Sequence, residues 1–147
     1  MAAPSTSAGG NVNLNFGNDL DITAAPQIAY SAPGGALSAR TPSGSGFVGQ
    51  FPPPGVSPGI TALPGGGWEG AFQSRTGLLI VYGTAFTLDT QLGMAAGTSP
   101  SIAAAPEGSW AVAFQANTGQ LWTQDLSVGG RSTGLTMLPN TNPSIAR

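Results

Sequence analysis

The chain has 147 residues, of which 23 are Gly, 13 are Pro, 40 % are hydrophobic and only 7 % are charged; that excludes a solvated polyampholyte and suits short strands joined by many tight turns. It contains no Cys, no His and no Lys. Disulfides, Cys/His zinc sites and Ser-His-Asp or Cys-His nucleophile systems therefore cannot be assembled within it, and the usual general base at neutral pH is missing.

The net charge is −2, and the four cations, Arg40, Arg75, Arg131 and Arg147, are scattered. No basic patch is available to neutralise phosphates, so nucleic acid is not an expected partner. No window of about 18 apolar residues is present, so no membrane-spanning helix is expected.

In chain order, residues 1–10 read as a flexible arm. The opening MAAPSTSAGGNVNLNF has neither a basic n-region nor an apolar h-region and does not read as a signal peptide. Residues 11–24 read as a partial repeat unit: NLNFGNDLDIT loosely resembles the later GQLWTQDLSVG. Residues 25–56 read as a degenerate unit. APQIAYSAPGG carries a Pro-x-Ile-Ala opening, 32 residues before Ser57, and then departs from the pattern. FPPPG at 51–55 reads as a stiff connector.

Two full units follow, 57–98 and 99–141. SPGITALPGGGWEGAFQSRTGLL and SPSIAAAPEGSWAVAFQANTGQL align without a gap at an offset of 42 residues. The tails LGMAAGT and LTMLPNT correspond after a one-residue slip. Residues 142–147 then begin a further copy with Asn142-Pro143-Ser144-Ile145-Ala146.

Within one unit, residues 100–105 suit a short first strand, and Pro-Glu-Gly-Ser at 106–109 is turn chemistry. WAVAFQA alternates, so that Trp110, Val112 and Phe114 share one face and Ala111, Ala113 and Gln115 the other. Asn117-Thr118-Gly119 suits a hairpin loop, QLWTQDL returns antiparallel, and a last strand is expected around Gly134–Met137. Helix signals are absent, because Pro or Gly interrupts every candidate stretch. The expected fold is all-β, built of four-stranded antiparallel β-propeller blades of about 42 residues, with an incomplete ring in one chain. The ring would close by pairing Pro143–Ala146 with residues 11–23, or by assembly of several protomers, so a homo-oligomer is expected.

The phrase S-P-S-I-A-x-x-P-x-G-x-W-x-V-A-F-Q-A-N-T-G-x-L-W-T resembles the repeat of the PLL-like, tachylectin-type β-propellers of many actinobacterial proteins. The resemblance is specific for residues 57–145, weak for 25–56, and does not reach 1–24. It implies a carbohydrate-binding lectin with sugar sites in pockets between blades, acting outside the cell or on a particle surface.

Sugar recognition needs an aromatic face and a few planar hydrogen-bonding groups. The candidates are Trp122, Gln115, Asn117 and Trp110 in the third unit, and Trp68, Gln73, Arg75 and Tyr82 in the second. The other reading of the repeated Trp is packing between blades; that of Gln73 and Gln115 is hydrogen bonding to backbone; that of Asn117 is turn chemistry. Among the carboxylates (Asp19, Asp21, Glu69, Asp89, Glu107 and Asp125) no pair marks a glycosidase site, and Asn18-Asp19-x-Asp21 lacks the Gly and Glu of a calcium loop. No cofactor or metal is expected. The expected function is non-catalytic glycan binding, with a structural protein such as a phage virion decoration as the alternative.

Overall fold

The computed structural model describes residues 5–6, 12–13, 27–41, 44–47, 49–84 and 87–146. The expectations for Asp19 and Asp21, for most of residues 11–24 and for the arm apart from Ser5 and Thr6 fall outside them. A two-residue ladder pairs β1 (Ser5–Thr6) with β2 (Val12–Asn13). Three meanders follow. The first contains β3 (Ile28–Ser31), β4 (Leu37–Thr41) and β5 (Gly44–Phe47). The second contains β6 (Gly59–Ala62), β7 (Trp68–Gln73), β8 (Leu78–Gly83) and β9 (Thr87–Gly93). The third contains β10 (Ser101–Ala104), β11 (Trp110–Gln115), β12 (Gln120–Asp125) and β13 (Gly129–Thr136). Each sheet keeps sequence order, and every pairing is antiparallel. The protein is all-β; among the described residues the one helical element is a 3₁₀ turn at Pro106–Gly108, and no closed ring is formed.

The central hairpin of each meander closes in the same way. In the second unit Ser74 N–H donates to Leu78 O and Gly77 N–H to Ser74 O; in the third, Ala116 and Gly119 donate to Gln120 and Ala116. Gly77 and Gly119 hold φ of 81° and 80°, a left-handed conformation that costs glycine nothing. The same turn joins β3 to β4: Ala32 donates to Ala36 O, Gly35 to Ala32 O, and Gly35 has φ 81°.

This turn resets the frame of the first unit. Ile28 pairs with Arg40, Gly70 with Tyr82 and Val112 with Gln124, each pair 42 residues after the last. β3 therefore stands in the place of β7 and β11, as a second strand, whereas the Pro-x-Ile-Ala match had placed it as a first strand 32 residues before Ser57. The backbone period runs through without a deletion. Its residue signature is Ala29, Tyr30, Gly35 and Leu37, which answer Ala71, Phe72, Gly77 and Leu79 at the buried and turn positions. A first strand in this frame would fall at residues 17–20, outside the described residues.

The one-residue slip between the tails is located by the fourth strands. Tyr82 pairs with Thr87, but Gln124 pairs with Gly130, one residue further along. The extra residue lies in the β12–β13 turn, which Asp125 organises. Its Oδ1 accepts the N–H of Val128 at 2.7 Å and of Ser127 at 3.0 Å, and its Oδ2 accepts from Arg131 at 3.0 Å. Beyond this turn both fourth strands shift register at a residue with positive φ, Gln91 at 59° and Gly134 at 78°.

The units pack face to face. Trp110, Val112 and Phe114 of β11, with Ile102, form one buried cluster with Ala71, Leu79 and Val81 of the second unit and with Met94. The Trp/Val/Phe face thus packs on the preceding unit rather than the next. The other face of β7 and β8 buries Phe72, Ile80 and Tyr82 against Leu37 of β4, with Trp68 at the margin. Successive unit openings are also tied together. Ser57 N–H donates to Ser99 Oγ at 2.9 Å, and Ser99 N–H donates to Asn142 Oδ1 at 2.7 Å. Residues 142–146 thus lie against the third unit as Ser99 lies against the second.

Hydrogen bonds to its ionised form, chiefly from Val128 N–H, hold Asp125 at a pKa of about 2 against an ordinary value of 3.8. A lowered carboxylate pKa stabilises the fold fully above the ordinary value, and that contribution fades as pH falls through the lowered one. Lowering the pH from 5 to 2 should therefore weaken the β12–β13 turn, with the Asp125 carboxyl titrating near 2 by NMR. The Asp125→Ala variant should lack this acid-dependent loss of stability.

Candidate functional site

The eight candidate residues separate into three environments. Trp110 and Tyr82 are about 1 % exposed and belong to the packing between units. Tyr82 stands edge-on to Trp68 at 5.4 Å and to Phe72 at 5.3 Å. Its ring lies over Gly70, where a Cβ would sit 2.5 Å from it. Burial raises its pKa above the ordinary 10, and its hydroxyl has no hydrogen-bond partner among the described residues. Trp68 is half-buried against the same cluster.

Gln73 and Gln115 are each 1 % exposed and turn their amides to backbone. Gln73 Nε2 donates to Ala95 O at 2.8 Å, and its Oε1 accepts from Gly97 N–H at 3.1 Å. Gln115 Nε2 donates to Leu138 O at 3.0 Å. In both units the glutamine ends the second strand and ties down the segment that leaves the fourth. That segment also bonds by backbone: Met94 N–H donates to Gly77 O and Met137 N–H to Gly119 O. The repeated glutamine is a clasp between a unit and its own exit.

Trp122 is half-buried on the cluster between the second and third units, with its ring 6.4 Å from that of Phe114. Its indole N–H is enclosed without a hydrogen-bond partner among the described residues. Asn117 is an exposed turn residue whose N–H donates to Gly93 O at 3.1 Å. Its amide group lies against Gly93.

Arg75 differs from the rest. It lies on the β7–β8 turn beside a cavity of about 420 Å³, lined by Gln50, Phe51, Ser74, Arg75, Thr76, Ile80, Thr87 and Asp89. The cavity sits between the exit of the first unit and the second unit. The Arg75 guanidinium stands 5.4 Å from the centre of the Phe51 ring, which is 44 % exposed. Asp89 Oδ1 accepts from Gln91 N–H at 3.0 Å. No ion pair joins Arg75 to Asp89 among the described residues. The cleft thus holds an aromatic ring, a guanidinium, a carboxylate, an amide and three hydroxyl side chains around a partly apolar floor.

The corresponding positions between the second and third units are filled differently. Trp122 stands at the place of Ile80, Leu92 at that of Gln50, Gly93 at that of Phe51 and Asn117 at that of Arg75. Leu92 and Trp122 both pack on the core there. Reasoning from the sequence missed Phe51, Gln50 and Thr87, because the repeat consensus draws attention to positions that recur. The site is made of departures from it, and Phe51 reads from sequence as the start of a proline connector.

Neither a scan of protein-family models nor a search of curated proteins finds a match to this chain.

The clasp reading has a direct check. Gln73→Leu removes a buried amide, leaving Ala95 O and Gly97 N–H without the hydrogen bonds it makes, and should lower the unfolding free energy by about 1–2 kcal/mol in a urea titration. Unchanged stability would contradict it.

Proposed function

We propose that the protein is a non-catalytic carbohydrate-binding module of propeller-type units, engaging glycan in the cleft between its first and second units. The observation that carries this reading is the cleft's composition. An exposed aromatic ring suits the apolar face of a pyranose, and planar or hydroxyl groups converge around it. A volume of about 420 Å³ suits one or two sugar rings. Four-stranded meanders packed face to face, with their openings hydrogen-bonded in succession, are the arrangement expected of blades. The absence of His and Cys from the sequence supports binding over catalysis.

Self-association is part of the proposal. Leu126 and Val128 in the β12–β13 turn, Leu135 on β13 and Leu138 just after it are between 51 % and 76 % exposed. Ile28 and Tyr30, each 43 % exposed, lie on β3 of the first, where β11 carries Val112 and Phe114. Contact between these two ends would extend the internal packing to a second copy and give weak sites avidity. The same apolar ends favour a second reading, a structural protein of a larger particle.

A glycan-array screen of the folded chain, followed by titration of any sugar bound, tests the first reading. Phe51→Ala, at an exposed connector position, should leave folding intact and weaken binding at least about tenfold, near 1.4 kcal/mol. A blank array with folded protein, together with its recovery only in large particles, would overturn the lectin reading in favour of assembly.

A further inference from the structure

Resting on the carbohydrate-binding reading, we propose that the cleft selects sugars that carry a carboxylate, with Arg75 as the group that binds it and Asp89 as an acceptor for ring hydroxyls. The argument begins with how few charges the chain holds: four cations and six anions in 147 residues. Two of these ten line one cavity. In a chain so sparing of charge, their convergence is a specific feature of this place.

The cations are also treated differently. Arg131 is neutralised at 3.0 Å by Asp125, in the service of a turn. Arg75 forms no ion pair among the described residues and is instead steadied by the Phe51 face. A guanidinium held over a ring keeps the donor fork in its own plane free, and that fork matches a carboxylate with two parallel hydrogen bonds.

The second charge sets the class of anion. A phosphate monoester, close to doubly charged at neutral pH, would bring excess negative charge into a small cleft already holding Asp89, with a single cation to answer it. A monocarboxylate brings a single charge in a planar group that fits the Arg75 fork. Asp89 has one oxygen engaged by Gln91 N–H and further acceptor capacity, with no donor of its own when ionised. It therefore suits hydroxyl groups and disfavours a ligand that carries more than one negative charge. Thr87 and the Gln50 amide supply donors and acceptors for the rest of the ring, whereas the Ser74 and Thr76 hydroxyls bond to each other and Ser74 Oγ accepts from Leu78 N–H within the turn.

The comparison within the chain sharpens the point. In the third unit Asn117 replaces Arg75, and Ser132, paired with Trp122, replaces Asp89, which is paired with Ile80. Both charges are lost together, and Trp122 and Leu92 pack on the core at the corresponding place. The charge pair is a property of one cleft and not of the fold.

The experiment is a titration of the full chain at pH 7 with a panel of uronic acids, their methyl esters and the parent neutral hexoses, read by calorimetry or NMR. At least one acid should bind ten-fold or more tighter than its own methyl ester, and the preference should weaken as salt rises. Arg75→Gln, at an exposed turn, should erase the preference with an unchanged thermal midpoint, while Arg75→Lys should keep part of it. Equal binding of acid, ester and hexose, or an acid preference that survives Arg75→Gln, would overturn the proposal and leave the carbohydrate reading standing. Failure of every sugar, both here and on the array, would overturn both.

Discussion

A four-stranded sheet whose two faces are both apolar cannot bury itself, and that constraint governs this protein. β7 and β8 carry Ala71, Leu79 and Val81 on one face and Phe72, Ile80 and Tyr82 on the other. Each face needs a neighbour of matching shape. Trp110, Val112 and Phe114 supply it on one side and Leu37 on the other. The aromatic-bearing face of one unit meets the aliphatic face of the unit before it, which makes the packing directional and gives the array two unlike ends. Removing the Phe114 ring from such a contact ordinarily costs about 3–5 kcal/mol. Stability here is a relation between units more than a property of any one of them.

The polar interior serves the same end. With neither disulfide nor metal-ligating His or Cys, the exits of the units are held by amide clasps, Gln73 on Ala95 and Gln115 on Leu138. The openings are held by side-chain oxygens, Ser99 on Ser57 and Asn142 on Ser99. These bonds satisfy backbone groups that the ladders leave over, so the turns between sheets are fixed without a large core of their own. The cleft is a product of that rigidity. It lies where a unit's exit passes the next unit, and Arg75 and Phe51 meet there because the backbone period brings them together.

Much of this was legible in the sequence. The ungapped match of residues 57–79 with 99–121 located the full units, and the alternation in WAVAFQA predicted which side chains share a face. Two things were not. The frame of the first unit was hidden because its constraints fall on scattered positions, Ala29, Tyr30, Gly35 and Leu37, whereas a short run, Pro-x-Ile-Ala, matched elsewhere by composition. The cleft was hidden because it joins residues on either side of a unit boundary. Of its charged pair, Arg75 stood among the candidates for the wrong company, beside Trp68 and Gln73, and Asp89 read as an isolated carboxylate. Repetition reveals the scaffold, and the departures from repetition mark the place where something specific is held.

Native-state hydrogen exchange on Phe114→Ala tests the directional packing most directly. If the units are stabilised through their shared face, protection should fall together at Val112–Gln124 in the third unit and at Leu79 and Val81 in the second. Loss of protection confined to the third unit, with Leu79 and Val81 unchanged, would show that each meander stands alone and would contradict the account.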